Sequence, residues 1–171
     1  NVVPPSSVIE PYGADTMRLS ILFIAPPEKD FSWDPKAVEG CNRFLHRAWR
    51  VVCLLAQSAS VDARLDPAAL DEAGAELFRE YSRTIAKCTH DFEAMQFNTA
   101  ISAIMELVNA ASAYLNATEG ADRDAALCQY VAMGIVCALQ PICPHWSEEL
   151  YHEQLHQAGA AFNAPWPPFD E

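Results

Sequence analysis

Glycine is sparse in this 171-residue chain and never gathers into a loop that could cradle a phosphate. No stretch alternates apolar and polar residues as a half-buried strand does, and no segment repeats, so β architectures and solenoids are excluded. The most apolar runs, near Leu19 to Pro27 and Tyr130 to Pro144, fall short of the roughly 20 residues needed to cross a bilayer and are cut by proline. No membrane span is expected. Cys41, Cys53, Cys88, Cys128, Cys137 and Cys143 stand singly on apolar helical faces, and no pair has the short gap that brings two thiolates onto one metal. They read as reduced, buried, small apolar residues of a cytosolic protein, with neither zinc nor a disulfide framework. Basic residues are also few, 11 against 23 acidic for a net charge of −12, which argues against a general nucleic-acid binder. The chain opens on Asn1 without initiator Met, basic leader or cleavage site, and is expected to be an excised, cytoplasmic piece of something longer.

What is there is 51% hydrophobic sequence, enough for one domain with a proper core. The charge is unevenly spread. Residues 1–60 hold six basic and six acidic side chains, whereas residues 61–171 hold five and 17, so all the imbalance lies in the second part. A neutral first third beside an acidic remainder suits a local polyanion site that the acidic part guards against misplaced phosphates; a solubility role explains the acidic excess equally well.

The organising stretch is Ala25 to Leu55. A Pro-rich loop carrying Lys29 and Trp33 leads into Asp34-Pro35, a cap followed by a proline that gives up no needed bond, and so into a long helix. Cys41, Phe44, Leu45, Ala48, Val52 and Leu55 recur at three- and four-residue steps and form its core face. Arg43, His46, Arg47 and Arg50 recur at the same steps on a second face, which suits a polyanion or is a solvated, salt-bridged surface. Trp33 either plugs a groove between helix ends or stacks on a base or ribose, while Trp49 adjoins the core face and is expected to be core.

Elsewhere, Pro4 to Tyr12 offers a short helix ended by Gly13, and Ala14 to Ile24 a second whose Asp15 and Arg18 are spaced to form a capping pair. Asp66-Pro67 repeats the start signal for a helix towards His90, and its partner begins near Met95 with the stripe Phe97, Ala100, Ile101, Ile104, Val108, Ala111 and Leu115. Asp122 caps a helix whose middle, Val131 to Leu139, is apolar almost all round and should be the most buried. Pro141 and Pro144 restart the chain as a short helix with Trp146, Leu150 and Tyr151 inward, and the tail FNAPWPPFDE should lie extended against the rest. The fold class is all-α: an antiparallel bundle of four or five helices after a short helical, stem-contact-like segment. No side chains assemble an active site: Cys143 and His145, Asp122 and Asp124, and Glu148 and Glu149 are near in sequence, but none has a third group to orient a base. Catalytic and metal residues are therefore expected to be none.

The run NVVPPSSVIEPYGADTMRLSILFIAPPEKDFSWDPKAVEGCNRFLHRAWRVV resembles the segment that follows the KMSKS loop in bacterial-type leucyl-tRNA synthetases. FNTAISAIMELVNA, LQPICPHWSEELY and the closing APWPPFDE are similar to further stretches of that family's anticodon-binding domain, so the match spans nearly the whole chain. YGAD-x-x-R-L is shared with the synthetases for Ile, Val and Met; APPEKDFSW with the VEG and FL-x-R-x-WR that follow is narrower and favours Leu. Pro4-Pro5 and Trp146 depart from the family pattern without touching the contact face. The resemblance implies residues 1–34 as a helical connection following a catalytic domain, and 35–171 as the anticodon-binding-type bundle. It implies a ligase joining leucine to its tRNA with ATP, of which this part holds tRNA through its backbone and is inactive alone. Implied contacts are Lys29, Trp33, Arg43, His46, Arg47 and Arg50; no cofactor is expected in this piece, with ATP and Mg bound elsewhere. The partners would be leucine-specific tRNA and the remaining domains of the same synthetase, in a monomer. A helical protein-interaction module using an exposed patch around Phe162 to Phe169 stays open, as does the equivalent domain of another class I synthetase.

Overall fold

The structure, a computed structural model, describes residues 3–26, 28–30, 32–60 and 62–170, with Ala121 described by its backbone alone. Seven α-helices occur among the described residues and no strand: α1 Ser6–Tyr12, α2 Ala14–Ile24, α3 Pro35–Ser58, α4 Glu72–Glu93, α5 Phe97–Ala117, α6 Ala125–Leu139 and α7 Pro144–Glu153. The all-α expectation holds. No helix among the described residues is long and apolar enough to cross a membrane.

Gly13 ends α1 and opens α2 at φ 84°, ψ 161°, an extended conformation with positive φ that a side chain resists. The α3 start is as read: Pro35 occupies the first turn and the Asp34 carboxylate accepts from the Lys36 N–H at 2.9 Å. Its core face gains Val38 and Val51 beside the six residues read from periodicity. α4 and α5 form a hairpin through a turn in which Met95 takes φ 57°, and the α5 stripe from Ala100 to Leu115 is buried. α6 is the central helix, packed against α3, α4, α5 and α7. Val131, Ala132 and Gly134 to Leu139 are all buried along it, as its lack of a polar face demands.

Two helix starts differ from expectation. Asp66-Pro67 caps only the 3-10 turn Pro67–Ala69; α4 waits for Asp71, whose carboxylate accepts from the Gly74 N–H at 2.7 Å. Between them Leu70 is extended and packs against the core beside Gly74, a position that a continuous helix from Pro67 would move away. Likewise Asp122 lies in the 3-10 turn Gly120–Asp122, and Asp124 caps α6 by accepting from the Leu127 N–H at 2.7 Å. The extended Arg123 between them donates to the Leu115 and Thr118 carbonyls, which the end of α5 leaves without partners, and to Ser58 at the end of α3.

The expected Asp15–Arg18 pair is also corrected. Asp15 accepts from the Trp146 N–H at 2.6 Å and lies 2.9 Å from His145 Nδ1, placing a carboxylate on the N-terminus of α7. Arg18 instead donates to the Ile142 and Pro141 carbonyls at 2.7 and 2.9 Å, just past the end of α6. Each charge from α2 thus meets the helix end of opposite polarity, a better use of both than pairing one turn apart on α2 itself. The tail does lie along the bundle: Tyr81 donates to the Pro168 carbonyl at 2.8 Å and Trp166 to the Thr89 hydroxyl at 2.8 Å.

Candidate nucleic-acid interface

α3 turns its second face fully outward. Arg43, His46, Arg47 and Arg50 are all exposed, while Cys41, Phe44, Leu45 and Ala48 between them are buried. Arg43 stands 3.9 Å from Glu39 one turn back, an exposed pair that costs little to break. The Arg47 guanidinium lies 5.9 Å from the centre of the Phe44 ring. Among the described residues neither Arg47 nor Arg50 has an ion pair, so their charge is available to a ligand. Arg50, the deepest along the helix, forms no ion pair with the acidic second part among the described residues.

The three arginines border a surface groove of about 830 Å³ whose far walls come from Phe23 of α2 and Met105 of α5. Gly40 and Ala37 keep its floor low on the α3 side. Lys29 is exposed and Trp33 half-buried in the stretch before α3, and neither is among the side chains lining the groove. The structure thus brings together Arg43, His46, Arg47 and Arg50 and leaves Lys29 and Trp33 aside. Phe23 and Met105 escaped sequence reading because each merely continues the apolar pattern of its own helix; only the crossing of three helices makes them walls. Trp49 is half-buried rather than core, meeting Trp146 edge-on at 6.1 Å between ring centres.

No described side chain at the groove is poised for covalent chemistry: Cys41, which lines it, is buried, and burial pushes its thiol up to about 11. Cys143 is fully buried with its Sγ 3.7 Å from the Asp15 carbonyl, and burial first, then the Asp15 charge, push its thiol far from the reactive form. Among the described residues no three His, Cys, Asp or Glu side chains come together as a metal cluster would.

A model of the family described as the anticodon-binding domain of tRNA ligase matches residues 75–171. The chain belongs to that family. The matched part of this anticodon-binding domain runs from α4 to the tail, leaving the arginine face of α3 ahead of it. Similarity over the full chain comes from individual relatives: the leucine--tRNA ligase of Geotalea daltonii is 42% identical over 171 residues and that of Geotalea uraniireducens 41%. In each case 99% of this chain is covered and 20% of the relative, so the chain spans about a fifth of their length. Among solved structures, the Agrobacterium radiobacter K84 agnB2 LeuRS-tRNA-LeuAMS ternary complex superposes with a TM-score of 0.83 at 26% identity, over 99% of this chain and 22% of that one. Mycobacterium tuberculosis methionyl-tRNA synthetase shares the fold, with a TM-score of 0.65 at 19% identity, over 99% of this chain and 41% of that one.

Proposed function

We propose that this anticodon-binding domain is the tRNA-holding part of a leucine–tRNA ligase, the whole of which joins leucine to its tRNA at the expense of ATP. The observation that carries this reading is the exposed Arg43, Arg47 and Arg50 stripe, two of whose members have no ion pair among the described residues. The stripe lies in the one third of the chain that is not net acidic. Such a surface grips phosphates without reading bases, which suits a tRNA held by its backbone. Full-length similarity to leucine–tRNA ligases, α3 included, favours leucine over valine, isoleucine or methionine. In this reading residues 1–34 connect a catalytic domain to the bundle at 35–171. ATP and Mg are bound by the rest of the ligase, which acts as a cytoplasmic monomer, and this piece does not aminoacylate alone. Lys29, Trp33 and His46 add to the contact surface. An interaction module at the tail is less favoured, because Pro167 is buried, Phe169 half-buried and Trp166 tied to Thr89, leaving Phe162 as the most exposed aromatic there.

The test is anisotropy titration of the whole ligase with leucine tRNA across several salt concentrations. Arg43→Ala, Arg47→Ala and Arg50→Ala are each expected to lower the salt slope by roughly 0.9 per lost phosphate contact, with melting temperature almost unmoved. Slopes identical to the parent in all three would overturn the reading.

A further inference from the structure

The arginine groove has a neighbour across one ridge of α3. His46 and Trp49 line both the groove and a second cleft of about 530 Å³ that opens towards α1 and α2. That volume lies within the roughly 300–1,000 Å³ of small-ligand sites. Its chemistry is unlike that of the groove: no Lys or Arg lines it, and its walls are mainly apolar and aromatic, with Tyr12 and Trp49 facing the space. Its carboxylate, Asp15, is already engaged by the Trp146 N–H and His145. A phosphate finds no Lys or Arg there and meets a carboxylate at the wall. Asn42 adds hydrogen-bond donors to the wall. Its side-chain oxygen accepts from the Thr16 hydroxyl at 3.4 Å, and its two N–H donors have no partner among the described residues.

A flat, neutral ring with a hydrogen-bond acceptor on its edge fits such a cleft, and unpaired RNA bases are recognised by stacking on aromatic side chains and hydrogen bonding along their edges. We propose that this cleft seats one unpaired nucleobase of the same tRNA whose backbone the arginine stripe holds, with Trp49 and Tyr12 flanking the ring and Asn42 donating to its edge. The inference rests on the tRNA-holding reading above. The shared ridge supplies the link: backbone gripped by Arg43 and Arg47 passes His46, and a base turned across that ridge enters the cleft.

The experiment is chemical footprinting of a leucine tRNA transcript, free and bound to the whole ligase, with base-specific and phosphate-specific reagents. Parent protein is compared with Asn42→Asp, which keeps size but replaces the donors with acceptors, with Asn42→Ala and with Arg47→Ala; thermal melts confirm folding of each. One unpaired base is expected to be protected by the parent and to regain free reactivity with both Asn42 variants. Affinity should fall by about tenfold, with the phosphate footprint and salt slope retained. If Arg47→Ala reduces the salt slope while the Asn42 variants protect the same bases as the parent, the base seat is overturned alone, as it is if another domain of the ligase fills the cleft. If Arg47→Ala leaves both slope and phosphate footprint unchanged, the backbone reading fails and takes the seat with it.

Discussion

Asp91 is a carboxylate 2% exposed to solvent, and it is tolerable there because Lys87 Nζ at 2.8 Å, Thr99 Oγ1 at 2.6 Å and His90 Nδ1 at 3.2 Å converge on it. Burial pushes its pKa up, but the hydrogen bonds from Lys87, Thr99 and His90, with the Lys87 charge, outweigh burial and hold it below the ordinary value. A folded-state pKa below the unfolded one gives stability that is present above the unfolded value, about 3.9, and is lost as pH falls through the folded value. Asp91→Asn is therefore expected to cost about 1–3 kcal/mol at neutral pH and to flatten the loss of stability at acid pH. Calorimetry from neutral to acid pH checks both; a variant matching the parent at neutral pH would show the brace to be energetically idle. Gly134 presents the opposite demand, for absence of a side chain. A Cβ there would run into the ring of Tyr81, which is 1% exposed and tied through its hydroxyl to Pro168. Gly134→Ala gains about 1 kcal/mol of helix propensity and loses about 1–3 kcal/mol to overpacking, so urea unfolding should find it less stable. A more stable variant would mean that the Tyr81 ring yields.

At the scale of the helix, α6 carries the sharpest stability prediction. Ile135 is fully buried, so Ile135→Asp places a charge in the core and is expected to cost on the order of 3 kcal/mol or more. Expression, far-UV dichroism and chemical unfolding measure it; parent-like stability would place α6 at the periphery and undo the assembly described here. α3 shows the reverse logic. Its arginine face buries nothing, so its alanine variants should leave folding intact and change only what binds. Helix existence and facing were legible because apolar residues at three- and four-residue steps can be buried in one way only. The starts of α4 and α6 were not, since Asp66, Asp71, Asp122 and Asp124 all qualify as caps locally. Leu70 against the core, and Arg123 against the end of α5, choose between them from elsewhere in the chain.

Across the whole molecule the cysteines report on burial. Five of the six are buried and Cys53 is half-buried. Burial pushes the thiols of Cys41, Cys128 and Cys137 up to about 11 and that of Cys88 to about 12, and raises Cys53 as well. Thiol titration near pH 8 is expected to find Cys53 reacting first, slowly, in the native protein and all six groups in denaturant. Prompt reaction of several native thiols would contradict the packing. The sequence by itself determined the helices, their buried faces, the central place of α6 and the outward arginines of α3, because each follows from composition and spacing within one element. Tertiary structure alone decided where Asp15 and Arg18 spend their charge, 131 and 124 residues away along the chain. It alone also decided that Phe23 and Met105 wall a groove, and that Asn42 lines a cleft with its donors unpartnered among the described residues. Local spacing encodes which face of a helix is wet. Which helix ends and side chains that face meets is set by how several helices pack at once, and no window along one of them contains that information.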